Sequence, residues 1–246
     1  MSGARSVGVA VLDLLDRPGG TRQRQKLMGE RVEVMAEGGA DCRIRAEDGY
    51  EGWVAAEALV AALEVTHRVA GFATHLYEAD DMKTAGPVAR SLPFGAKVRV
   101  TDERRRFYET PEGFIPKPHL RPLDRPFADL VTVAQLHFNV PYLWGGDSTR
   151  GIDCSGLVQA ALRACDIPCP GDSGPQREAL GRAVEDAPQR GDLVFWTGHV
   201  GMMVDGETMI HANAHAMACV YEPLDRAILR IEAQGDGPVL VRKRLG

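Results

Sequence analysis

The sequence predicts an α+β protein in which small all-β modules precede a domain of helices packed on an antiparallel sheet. Three observations predict it. Short strand-like segments broken by turn residues occupy the first half, prolines cluster between residues 116 and 126, and beyond them apolar residues at helical spacing give way to alternating strands. A chain of 246 residues has room for two or three such modules, since single domains cluster near about 100 to 150 residues.

Composition excludes several classes. With 44% hydrophobic and 26% charged residues the chain is ordinary for a globular protein, and its apolar runs are too short or too interrupted to cross a bilayer. Asp13 and Asp16 break the N-terminal apolar run before it reaches signal-peptide length, so a cytoplasmic location is expected. Five cysteines (Cys42, Cys154, Cys165, Cys169, Cys219) form an odd, unpatterned set that fits a reducing compartment and leaves at least one thiol free. A net charge of −5 argues against a nucleic-acid partner. The basic run Arg104-Arg105-Arg106 is bracketed by Asp102, Glu103 and Glu109 and reads as a solvated hairpin tip. No cofactor, metal or membrane partner is expected, and a monomer is.

The first half reads as strands at residues 7–15, 31–35, 42–46, 53–55, 71–76, 97–101 and 113–115. Two passages within it are loosely alike. Leu27-Met28-Gly29-Glu30-Arg31-Val32-Glu33-Val34, followed by Asp48-Gly49-Tyr50-Glu51-Gly52-Trp53-Val54, parallels Leu92-Pro93-Phe94-Gly95-Ala96-Lys97-Val98-Arg99-Val100, followed by Thr110-Pro111-Glu112-Gly113-Phe114-Ile115. A turn glycine, an alternating strand and a Gly-aromatic strand recur in order, which predicts a duplicated module of roughly 60 residues. The first passage resembles bacterial SH3 domains and the second resembles them more faintly. Modules at 1–65 and 66–124 are therefore expected, the second ending in a stiff polar linker built on Pro116, Pro118, Pro122 and Pro126.

From residue 125 the pattern changes. Leu130, Val131, Val133, Ala134 and Phe138 predict a helix over 127–138 that closes at Asn139, and Leu157, Val158, Ala161, Leu162 and Cys165 predict a second over 154–165. Strands are expected at 193–196, 199–204, 208–213, 218–223 and 239–244.

Cys154 stands where loop meets this second helix, behind Asp153 as N-cap. At that place the helix dipole and the unsatisfied amides favour thiolate over thiol, and a backbone N–H can point at a developing oxyanion. A lone cysteine is more often a small buried hydrophobe, but here its neighbours matter. Upstream lies Pro141-Tyr142-Leu143-Trp144-Gly145-Gly146; downstream lie Arg190-Gly191-Asp192-Leu193-Val194-Phe195-Trp196, Gly198-His199-Val200-Gly201-Met202 and Ile210-His211-Ala212.

These motifs, in this order and spacing, resemble the NlpC family of cell-wall cysteine peptidases over about half the chain. The resemblance implies a papain-like catalytic domain at 125–246, with Cys154 as nucleophile, His199 as base and His211 as the group orienting it. It further implies that Tyr142 lines the catalytic site and that Asp153 and Ser155 contact substrate beside the scissile bond; Trp144 is a further candidate substrate contact. In members with SH3 domains the first of these walls one side of the cleft, which makes Tyr50 a candidate contact and Asp16 or Glu51 a candidate partner for a free amine. The implied substrate is a murein peptide, L-Ala-γ-D-Glu-diamino acid, cut after the γ-D-glutamyl residue, and the expected lack of an export signal points to cell-wall recycling.

His199 and His211 share a sheet face only if the hairpin between them has an odd loop, because side chains alternate with period two. A three-residue loop Val204-Asp205-Gly206 with Gly206 left-handed sets the two opposite each other. Three competing readings remain. His211, His215 and Cys219, four apart, would align as zinc ligands on a helix, but this stretch reads as strand. A thiol acyltransferase would use the same cysteine and histidine, and a non-catalytic wall-binding protein the same scaffold. Trp144 and Trp196 read by default as core aromatics.

Overall fold

Alternating burial defines the early strands. In Arg31–Gly38, Val32 and Val34 are buried between exposed Arg31, Glu33 and Met35, and in Asp41–Ala46, Cys42, Ile44 and Ala46 are buried between exposed arginines. The computed structural model describes residues 3–83 and 90–246, which divide into two compact units, Met1–Pro126 and Phe127–Gly246.

The first unit opens with β1 (Gly3–Val7), β2 (Val11–Leu15), β3 (Arg22–Leu27), β4 (Arg31–Gly38), β5 (Asp41–Ala46), β6 (Glu51–Ala55) and β7 (Leu59–Ala61). They form one antiparallel sheet in the order β3-β2-β6-β5-β4-β1-β7. Then follow β8 (His67–Val69), β9 (Ala73–Leu76), β10 (Arg90–Pro93), β11 (Lys97–Val98), β12 (Asp102–Glu103), β13 (Phe107–Thr110), β14 (Gly113–Pro116) and β15 (Leu120–Pro122).

The pairing of the second set repeats that of the first. β4-β1-β7 has its counterpart in β11-β8-β15, and the β2/β3 ribbon in β9/β10. The single bridge Leu15↔Trp53 between β2 and β6 recurs as Tyr77↔Phe114 between the residue after β9 and β14. Short 3-10 turns, Ala56–Ala58 and Lys117–His119, follow β6 and β14. Gly29 and Gly95, the turn glycines of the two similar passages, both adopt positive φ (79° and 84°), a conformation only glycine takes without strain. Each set encloses an apolar core, one around Val7, Leu14, Val32, Ile44 and Val54, the other around Val69, Leu92, Val98, Ile115 and Leu120. Leu27 and Met28 at the end of β3 belong to the second core.

Several expectations change here. Residues 7–15 belong to two strands, β1 ending at Val7 and β2 starting at Val11, and Gly8 between them packs close to Val60. β3 carries no apolar alternation and was not expected; its Arg24 and Lys26 are fully buried, and Lys26 is ion-paired with Asp48. The strand expected at 97–101 ends after Val98. The stiff linker is instead largely structural: Lys117–His119 is a 3-10 turn, and Leu120–Pro122 pairs with β8, leaving residues 123–126 before the second unit. The basic run is a hairpin tip between β12 and β13, as expected, with Arg104 Nη1 bonded to Asp102 Oδ2 at 2.7 Å.

The second unit begins with α1 (Leu130–Gln135), capped by Asp129 through the Val131 amide at 2.9 Å. It is shorter than the 127–138 expected: residues 136–138 continue as a turn, and Asn139 takes φ 65°. After β16 (Asp147–Ser148) and β17 (Gly151–Ile152) come α2 (Cys154–Ala164), α3 (Ser173–Ala179) and β18 (Arg182–Ala183). Next are β19 (Leu193–Trp196), β20 (His199–Met203), β21 (Thr208–Asn213), β22 (Ala218–Pro223), α4 (Leu224–Ala233) and β23 (Val241–Arg244). The sheet runs β18-β23-β19-β20-β21-β22, with neighbouring strands antiparallel throughout. β19 is buried at every position and β20 and β21 at all but their first residues, so both faces are covered. α2 packs on β20 and β21. The short α3 and the amphipathic α4 were not expected; Ala227 and Ile231 of α4 cover Val194, Trp196, Met203 and Met209.

Two features of this unit are testable. The first turn of α2 lies against the Gly145-Gly146 loop so closely that a Cβ at Gly156 would strike the Gly146 carbonyl oxygen. Gly156→Ala is expected to cost about 1 to 3 kcal/mol in urea unfolding, the range of overpacking, and unchanged stability would contradict this close approach. His137 is 1% exposed, donates Nδ1–H to the Val133 carbonyl at 3.1 Å, and is pushed down to about 4 by burial, which that bond opposes. Because an unfolded imidazole binds its proton near pH 6.5, the unfolded chain holds more protons below that pH, and stability falls as pH drops from about 6.5 through 4. The loss from this residue is roughly 3 kcal/mol. Urea midpoints at pH 7 and pH 4 should fall less for His137→Gln than for the native chain.

Candidate active site

Cys154 is the first residue of α2 and is 8% exposed. The position is secured by Asp153, whose Oδ1 accepts from the Gly156 amide at 2.6 Å and from Ser155 Oγ at 3.0 Å, while Oδ2 accepts from the Gly145 amide at 3.0 Å. One carboxylate thus closes the helix start and draws in the glycine loop ahead of it. Asp153 and Ser155 are themselves buried, and these side-chain bonds serve the cap.

The thiol Sγ lies 4.0 Å from the carbonyl oxygen of Gly198, the residue before His199. His199 begins β20 directly after a two-residue turn, Thr197-Gly198, across which Trp196 pairs with His199 and Gly198 takes φ 71°. The Trp196 ring covers the imidazole, with centroids 5.7 Å apart. Trp196 is a core aromatic as expected, whereas Trp144 is 70% exposed and is not.

From His199 a line of polar groups crosses the sheet. Its Nε2 lies 2.9 Å from Nδ1 of the fully buried His211, and His211 Nε2 lies 2.9 Å from Glu222 Oε2. Arg230 on α4 grips both Glu222 oxygens, Nε to Oε1 at 2.9 Å and Nη2 to Oε2 at 2.7 Å. Burial, then the neighbouring His211 and Arg230, push His199 down to about 3, with Glu222 acting in the other direction. Burial also lowers His211 against the pull of Glu222, so both rings are neutral near pH 7. Arg230, followed by His211, holds Glu222 down at about 2.

The expected odd hairpin loop is present but shifted by one residue. Met203 pairs with Met209 and Met202 with Ile210, and the Val204 amide bonds Thr208, so the loop is Asp205-Gly206-Glu207. Asp205 Oδ1 accepts from the Glu207 and Thr208 amides at 2.8 and 2.7 Å, which closes the turn without a left-handed Gly206. Parity is preserved, and the two histidines share a face diagonally, where the expected loop would have set them directly opposite.

Tyr142 is partly exposed, its hydroxyl is pushed up to about 12 by burial and then by Cys154 and Asp153, and its backbone bridges Ile152, two residues before the thiol. Arg190 ties Asp129 (Nη2 to Oδ2, 2.6 Å) to the Val204 carbonyl, and buried Asp192 receives Arg244 Nε at 2.7 Å, so the Arg-Gly-Asp motif braces the sheet. In the first unit, Asp16 accepts from the Thr21 amide at 2.7 Å, Tyr50 packs on the first core, and Glu51 is engaged by Arg43 and Arg45. Among the described residues no group of three His, Cys, Asp or Glu side chains is placed to hold a metal. His211 lies on β21, His215 in the loop after it, and Cys219 pairs with Ala212, which puts it on the opposite face from His211. Sequence reasoning missed Glu222 and Arg230. The alternation of β22 held a signal, since Val220 pairs with His211 and Glu222 is two residues on, on the same face.

Comparison with known proteins matches a segment of each unit to a described family. Residues 139–230 match the NlpC/P60 family, and residues 14–59 match the bacterial dipeptidyl-peptidase Sh3 domain. A gamma-D-glutamyl-L-lysine dipeptidyl-peptidase of Bacillus cereus (strain ATCC 10987 / NRS 248) is 30% identical over 129 residues, 49% of this chain and 36% of that protein. One of the same name from Bacillus subtilis (strain 168) is 34% identical over 92 residues, 34% of this chain and 31% of that protein. The matches thus span about a third of the length of these curated relatives. The crystal structure of an NlpC/P60 family protein from Bacillus cereus ATCC 10987 shares the fold, with a TM-score of 0.81 at 21% identity over 98% of this chain and 99% of that one. The unit that carries Cys154, His199 and His211 is an NlpC/P60-family domain, and the chain ahead of it contains a bacterial dipeptidyl-peptidase SH3 domain.

Proposed function

We propose that the chain is a cysteine peptidase that cuts the γ-D-glutamyl bond to a diamino acid in short murein peptides bearing a free N-terminal L-alanine. The observation that carries the proposal is the arrangement of a thiol at the start of α2, against Gly198, with the His199-His211-Glu222 line behind the adjoining imidazole. The names of the relatives, gamma-D-glutamyl-L-lysine dipeptidyl-peptidases, support the substrate class.

In this reading His199 takes the Cys154 proton and the thiolate attacks the γ-glutamyl carbonyl, forming a C–S bond and a tetrahedral oxyanion. Collapse breaks the C–N bond as imidazolium returns its proton to the departing amine. Water, deprotonated by His199, then attacks the thioester, releasing L-Ala-γ-D-Glu and regenerating the thiol. Tyr142, Trp144 and the Asp153-Ser155 corner border the peptide. The proposal extends to soluble peptides as the natural substrate, in recycling within the cytoplasm, and to a second SH3-like barrel at 66–124, supported by the repeated strand pairing in the first unit.

The full chain is incubated with L-Ala-γ-D-Glu-L-Lys, with the meso-diaminopimelate peptide, with their N-acetylated forms, and with intact sacculi. Release of L-Ala-γ-D-Glu from the free-amine peptides is expected, with Cys154→Ala and His199→Ala each slower by about 10³-fold or more. Preferential release of product from sacculi would refute the role on soluble peptides. Equal turnover by Cys154→Ala would refute the peptidase itself.

A further inference from the structure

Glu222 takes no part in the bond-making steps above, yet it ends the polar line that begins at the catalytic imidazole. We infer that Glu222, clamped by Arg230, is a positioning residue that selects the tautomers of His211 and His199 and so leaves Nδ1 of His199 as the lone pair available to the thiol. The inference rests on the peptidase reading, but it concerns protons on two rings that are observable without substrate.

The argument is one of donors and acceptors. An ionised carboxylate only accepts, so the 2.9 Å contact with Glu222 Oε2 requires the proton of His211 on Nε2. A neutral imidazole has one such proton, which makes His211 Nδ1 an acceptor. Since Nδ1 lies 2.9 Å from His199 Nε2, that nitrogen must donate, and Nδ1 of His199 carries the lone pair. The opposite tautomers would put N–H on that Nδ1 and give the thiol no base.

Asn213 competes from the other side. Its Nδ2 lies 3.0 Å from His211 Nε2, and its orientation is set because Oδ1 accepts from the Ala216 amide at 2.7 Å. A donor there would favour a lone pair on Nε2 and hence the unproductive pair of tautomers. The charged acceptor prevails, because charge-assisted bonds are roughly twice as strong as neutral ones. Arg230 makes this outcome robust. Its two bonds keep Glu222 ionised and aim Oε2 at the ring, and α4, which follows β22 directly, returns the guanidinium over that strand.

The test is ¹⁵N NMR of the imidazole nitrogens in the full chain at neutral pH, where shifts distinguish protonated from bare ring nitrogens. In the native chain both rings are expected as Nε2–H. In Glu222→Gln, Arg230 captures the carboxamide oxygen, the amide N–H₂ turns to His211, and both rings should change to Nδ1–H. Dipeptide release should then fall on the order of 10²-fold in kcat with KM little changed, as when a group that orients a catalytic histidine is lost. Nδ1–H on either ring of the native chain overturns the inference, and so do unaltered tautomers in folded Glu222→Gln. If that variant does not fold, the native spectrum alone decides. Native tautomers as expected in a chain that releases no dipeptide would sink the peptidase reading and leave the positioning role standing.

Discussion

Placing two imidazoles inside a sheet covered on both faces is costly unless every ring nitrogen is occupied, and this constraint organises the second unit. Buried polar groups without partners lose on the order of 1 to 3 kcal/mol each, more than most single contacts return. His211 is fully buried, so it needs a partner at each nitrogen, and it finds His199 on one side and Glu222 on the other. Glu222 in turn is tolerated because Arg230 neutralises it. The line therefore starts on a solvent-bordering residue of β20, crosses β21 and β22, and ends on α4, so that strand register and the placement of a terminal helix both bear on one reactive nitrogen.

The elements that were legible in the sequence are those whose signal is local. α2 was, because Asp153 caps it and its apolar face repeats at helical spacing; so were β19, β21 and β22, whose residues alternate or run apolar between turn signals. The positions of Cys154 and His199 followed from them. What was not legible depends on partners distant in sequence. β3 reads as a polar segment, yet Lys26 is buried because Asp48 lies across from it. The loop between the histidines was assigned the correct length but the wrong residues, because Asp205 takes its side chain into the turn and the closing pair lies one residue further along the chain. Glu222 was hidden for the same reason: its proximity to His211 depends on the register of a four-residue loop, 214–217, which Asn213 and the left-handed Met217 together close.

In the first unit, likeness that is faint in sequence is plain in pairing. Trp53 and Phe114 occupy equivalent bridges to β2 and to the end of β9, and both follow a glycine. The prolines that suggest a linker are accommodated where they leave no ladder donor missing, Pro118 in a 3-10 turn and Pro122 at the last position of an edge strand. Composition identified the stiffness of this stretch but not that the stiffness serves a strand.

The shortness of the Thr197-Gly198 turn sets a limit on how this site can diversify. A hairpin joined by two residues has no slack, and one inserted residue would slide β20 by a step and carry its first side chain through the sheet to the far side. Descendants of this chain can thus exchange one side chain for another around the imidazole, but they cannot lengthen the turn that presents it.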